Sequence, residues 1–228
     1  MAAALSVARR ALLRRRIRLI VAATITYNVL EATVAISAGA VASSTALIAF
    51  GLDSVVEVLS AAAVAWQFSA RDPESRERVA LRLIALSFFA LGAYVVIDTG
   101  LGFAFGREAG HSTVGIVLAA VSLAVMPALS WIERRTGREL RSPTAIADSK
   151  QTLLCAYLSG ALLLGLLLNT LLGWTWADSI AALVIAGWAI KEGIEAWRGD
   201  ACALPVTALT GEQSVAHDHH GVEAATHE

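Results

Sequence analysis

Residues 44–68 read STALIAFGLDSVVEVLSAAAVAWQF, an apolar run whose only formal charges are Asp53 and Glu57. At 1.5 Å per residue, a helix of this length exceeds the ~30 Å hydrocarbon thickness of a bilayer. A spacing of four puts both carboxylates on one helix face, one turn apart. Charge inside hydrocarbon is costly, so an acid pair in such a segment marks a functional site within a membrane helix.

The rest of the chain agrees with that solvent. Of its 228 residues 57% are hydrophobic and only 16% charged, with a mean hydropathy of +0.64, which excludes an ordinary soluble domain. Apolar stretches at 17–39, 44–68, 79–105, 112–133, 145–172 and 176–198 each have the length of a membrane span. With no dyad alternation for a barrel, the chain is expected to be an all-α polytopic membrane protein of six transmembrane helices.

Arginines cluster before the first span (Arg9, Arg10, Arg14, Arg15, Arg16, Arg18), between the second and third (Arg71, Arg76, Arg78, Arg82) and between the fourth and fifth (Arg134, Arg135, Arg138, Arg141). The other connections hold only Arg107, so the positive-inside rule predicts both termini in the cytoplasm. Residues 1–16 then form a basic cytoplasmic start, 17–198 the six-helix membrane domain, and 199–228 a cytoplasmic tail expected to lack a fold of its own. A cleavable signal peptide is disfavoured: the first apolar run is too long and carries Asn28 and Glu31. Cys155 and Cys202 fall in an apolar run and in the polar tail, so the two are read as thiols rather than a disulfide.

Depth selects which polar residues can meet. Glu31, Asp53, Glu57 and Cys155 all lie about 9 to 14 residues from their span starts, near the bilayer midplane. Asn28 and Glu31 are three apart, Asp148 and Gln151 three, and Gln151 and Cys155 four, so each set shares a helix face. Each central acid costs roughly 2.5–3.5 kcal/mol if ionised and unpaired. No Lys or Arg lies at that depth, so protons, water or a bound cation must offset the charge, and a divalent ion held by carboxylates and a thiolate satisfies it. Ala61-xxx-Ala65 and Ala156-xxx-Gly160 are candidate points of close helix approach.

At these residues the chain resembles the cation diffusion facilitator (cation efflux) superfamily, and its short six-helix bacterial members in particular. The likeness runs through 44–57 of the second span, 147–155 of the fifth and Trp176–Leu183 of the sixth. The family pattern has ligands four apart on the second helix, where Asp53 and Glu57 stand, and again on the fifth, where Gln151 and Cys155 stand in place of the common His and Asp. The resemblance implies a homodimer in the inner (cytoplasmic) membrane that exports a divalent metal in exchange for protons by alternating access, without the usual cytosolic domain.

The metal ligands expected are thus Asp53, Glu57, Asp148, Gln151 and Cys155, with Asn28, Glu31 and Asp178 as pathway or outer-shell groups. In the tail, His217, His219 and His220 beside Asp218 form a candidate capture segment. Zinc is the leading substrate, with iron, manganese or cobalt as alternatives; the expected partners are metal ions, protons and the lipid bilayer, and no nucleic acid. A non-transporting metal-binding sensor or accessory protein is the competing class. No nucleotide-binding glycine loop, HExxH or GxSxG occurs, and no enzymatic activity is expected.

Overall fold

The computed structural model describes residues 7–68, 74–140 and 143–198. They form six helices: α1 (Val7–Ala42), α2 (Thr45–Phe68), α3 (Glu74–Phe105), α4 (Thr113–Leu140), α5 (Pro143–Leu172) and α6 (Trp176–Arg198). Five of them, α1 to α5, contain segments long and apolar enough to cross a membrane. Helix α6 has 23 residues, about 34 Å at 1.5 Å per residue, but carries Asp178, Lys191, Glu192 and Glu195 and is less apolar.

Three helices outrun the apolar stretches that located them by more than a turn. Helix α1 begins at Val7 rather than residue 17, α3 at Glu74 rather than 79, and α4 continues to Leu140 rather than stopping at 133. The added turns are arginine-rich, and arginine is a good helix former whose long side chain can reach water from a helix end. Hydropathy ends where the lipid ends; the backbone hydrogen-bonding pattern need not.

The distribution of side chains is that of a bundle in lipid. Asn28, Glu31, Asp53, Ser54, Ser122 and Glu133 are buried, while Val41, Tyr157, Phe105 and Leu171 face outward. Water would penalise such an arrangement, whereas hydrocarbon favours it. Helices α1, α2, α5 and α4 pack in a ring, each against the next, and an α3–α6 pair lies against α2 and α5. The apolar centre joins Leu47 and Phe50 of α2, Phe88 and Val95 of α3, Leu158 and Leu162 of α5, and Ile185 of α6.

The close approaches differ from those expected at Ala156-xxx-Gly160. A Cβ added at Gly160 would meet only Leu123 Cδ1, at 3.7 Å. At Gly165 it would lie 2.8 Å from Ala181 Cβ and 3.1 Å from the Ala177 carbonyl oxygen, and at Gly51 2.9 Å from Ala35 Cβ. Alanine is abundant in every span, so small-residue spacing alone could not select these two crossings, α5 with α6 and α1 with α2.

The start of α2 is tied to its neighbours. Ser44 Oγ accepts from Leu47 N at 3.1 Å, a helix cap, and donates to Asp178 Oδ1 of α6 at 2.5 Å; Asp178 Oδ2 accepts from Ala46 N at 3.2 Å. Thr45 Oγ1 donates to Asp98 Oδ2 of α3 at 2.6 Å, and Asp98 also pairs with Arg107 at 2.6 Å. Asp178→Ala is expected to cost about 1–2 kcal/mol, as lost caps do, and to lower the melting temperature of the detergent-solubilised protein. An unchanged melting curve would show that the carboxylate contributes nothing to holding α6 on α2.

Candidate metal site

Helix α2 supplies the centre. Its Asp53 is 6% exposed, Ser54 is buried beside it, and Glu57 stands one turn on. Glu57 is held from two other helices: Asn28 Nδ2 of α1 donates to its Oε2 at 2.6 Å, and Cys155 Sγ of α5 donates to its Oε1 at 2.6 Å. Helices separated by most of the chain thus meet on one carboxylate. The face of α2 that carries Glu57 turns toward Cys155 of α5.

Glu31, 2% exposed on α1, forms a second group alongside. Its Oε2 accepts from Ser54 Oγ at 2.8 Å and its Oε1 from Ser122 Oγ of α4, which also shares a 2.7 Å hydrogen bond with Tyr27 Oη. Among the described residues, the carboxyls of Glu57, Glu31 and Glu192 act electrostatically on Asp53. Among the described residues the cations near the membrane helices pair elsewhere, Arg107 with Asp98 and Lys191 with Glu192 and Glu195. Carboxyl groups are therefore concentrated at mid-depth, with no basic side chain hydrogen-bonded to Glu57 or Glu31 among the described residues.

Other expected residues lie apart or beyond view. Asp178 is at the outer end of the bundle, on the cap of α2, and the structure does not bring it to Glu57. Asp148 and Gln151 are on α5, two turns and one turn before Cys155, but their side chains are outside the described residues. The tail with His217, His219 and His220, and Cys202, also falls outside them. Cys155 is a buried free thiol. Among the described residues no three His, Cys, Asp or Glu side chains form a ready-made cage for a metal. Both oxygens of Glu57 are engaged by Asn28 and Cys155, so an ion would have to displace those contacts.

The sequence reading missed a polar face on α4. Ser122, Met126, Ser130 and Glu133 are all buried and recur at helical spacing; Ser130 Oγ donates to the Ser149 carbonyl at 2.5 Å, and Thr152 Oγ1 to Glu133 Oε2 at 3.3 Å, both on α5. The spacing of four, four and three was there to be found. Glu133 is the last residue of the apolar stretch 112–133 and adjoins Arg134 and Arg135, so its charge merges with the basic cluster that follows.

Comparison with known proteins bears on this bundle. The chain is 27% identical over 158 residues to a protein of Synechocystis sp. named as an uncharacterized transporter, the alignment covering 65% of this chain and 51% of that relative. The chain thus spans about half the length of the curated relative it matches. The cation efflux transmembrane domain matches residues 21–199, from the second turn of the membrane part of α1 to the end of α6 and including every residue of the Asn28–Glu57–Cys155 group. With the match running through all six helices, this chain belongs to the cation efflux family.

Proposed function

We propose that the protein transports a divalent transition-metal cation, zinc foremost, in exchange for protons, with Asp53, Glu57 and Cys155 as central ligands. Gln151, one turn before Cys155 on α5, and Asp148 beyond it would extend the donor set toward the end of α5 that starts the span. The observation that carries this reading is the contact of Cys155 Sγ with Glu57 Oε1 at 2.6 Å, on the helix face that also carries the buried Asp53.

That contact couples metal to proton. A thiol hydrogen-bonded to a carboxylate keeps a proton between sulfur and oxygen, and a divalent ion binding both atoms must displace it. Loading metal then releases a proton, and unloading takes one back. Acids left ionised in hydrocarbon are costly, so the two occupants alternate naturally: the site is least stable with neither.

Purified protein in vesicles loaded with a zinc-sensitive dye tests the proposal. With an acidic lumen, zinc added outside is expected to enter as protons leave, and to stop entering when the pH gradient is collapsed. Tight zinc binding without gradient-dependent entry would instead favour the sensor or accessory role.

A further inference from the structure

Asn28 is 4% exposed, and its two polar atoms fare differently. Nδ2 donates to Glu57 Oε2 at 2.6 Å, while Oδ1 is buried with no hydrogen-bond partner among the described residues. An orphaned buried acceptor is rare and costly, and this one belongs to the same planar group that touches the candidate metal-binding carboxylate. Asn169 is a useful contrast. Its Oδ1 is also unpartnered, but its Nδ2 donates to the main-chain oxygens of Ala109 and Gly110, at 3.0 and 3.5 Å, outside the acid group.

We propose that Asn28 is a direct metal ligand supplied by α1, through a rotation of its carboxamide. With no cation on Glu57, the amide N–H satisfies the carboxylate. A cation on Glu57 repels that N–H and attracts a carbonyl oxygen, and the terminal torsion of asparagine is soft and close to two-fold, so turning the group over exchanges one for the other. The same side chain thus serves both occupancies of the site. The inference rests on the metal-binding reading above and adds its fourth central donor, a neutral oxygen. A set of two carboxylates, an amide oxygen and one thiolate suits borderline divalent ions, and the amide oxygen matters more for a hard ion such as Mn2+ than for Zn2+.

The chain contains only two asparagines, Asn28 and Asn169, so labelling with asparagine carrying 13C and 15N in the carboxamide leaves two sets of signals, assigned with Asn169→Ser. On adding ZnCl2 to the full-length protein in detergent, the Asn28 carboxamide carbon is expected to shift downfield while its NH2 protons lose their hydrogen-bonded shift; Asn169 stays put. Titrations with ZnCl2 and MnCl2 provide the second readout. Asn28→Leu is expected to weaken binding by about tenfold or more, as loss of a metal-supporting group does, with the larger loss for Mn2+. Asn28→Asp, which keeps an oxygen but has no N–H, is expected to retain Mn2+ binding.

NH2 protons that remain hydrogen-bonded in the zinc-loaded protein would overturn the assignment, as would equal losses in Asn28→Leu and Asn28→Asp, since a donor role alone predicts both. If Asn28→Leu fails to fold, the labelled wild-type protein still decides. Wild-type protein that binds neither ion would overturn the metal-binding reading itself, an outcome distinct from binding with an unmoved Asn28.

Discussion

Glu57→Ala is expected to abolish zinc entry into acid-loaded vesicles and to weaken zinc binding by at least about 100-fold, beyond the 10- to 100-fold typical of outer-shell groups. The substitution removes the one carboxylate on which α1, α2 and α5 converge, and with it the acceptor for both Asn28 Nδ2 and Cys155 Sγ. It also removes the anion that competes between proton and metal. Glu57→Gln keeps the volume and one acceptor oxygen but places an NH2 against one of the two donors, so it too is expected to lose flux while remaining monodisperse. Flux and affinity within about threefold of wild type in both variants would sink the assignment of Glu57 as a ligand, because no ligand loss is that mild. Failure of flux with binding intact would place Glu57 in the proton step alone.

Gly51→Val is expected to have the largest effect on the fold. A Cβ at Gly51 would lie 2.8 Å from Ile36 Cγ1, 2.9 Å from Ala35 Cβ and 3.0 Å from the Ile36 backbone nitrogen. The side-chain carbon can move aside, but the backbone of α1 cannot without lifting the whole helix. Extra carbons in a packed core cost about 1–3 kcal/mol, and a β-branched side chain here sits at or above the top of that range. The crossing that would open is the one that sets Ser54 against Glu31 and Glu57 against Asn28. Both the melting temperature in detergent and zinc affinity are therefore expected to fall together. Gly100→Ala, at a position with open space around it, is the matched control and should change neither. A Gly51→Val protein that melts like wild type would show that α1 and α2 do not cross in close contact at this glycine.

The sequence by itself determined what depends on neighbours along the chain. Lipid excludes charge and requires every backbone group to be satisfied within its own segment, so apolar length alone marked the spans, and Asp53 with Glu57 stood out against a run with no other charge. Arginine-rich ends and the polar stripe of α4 were written there too, but hidden, because hydropathy counts residues and ignores the face they occupy. What only the tertiary structure decided is which faces meet: that Glu57 lies between Asn28 and Cys155, that Glu31 reaches Ser54 and Ser122, and that Asp178 caps α2 instead of joining them. Helix rotation and neighbour choice are set by packing between segments up to the length of the chain apart, at crossings such as Gly51 on Ala35, and no local pattern of residues encodes that geometry.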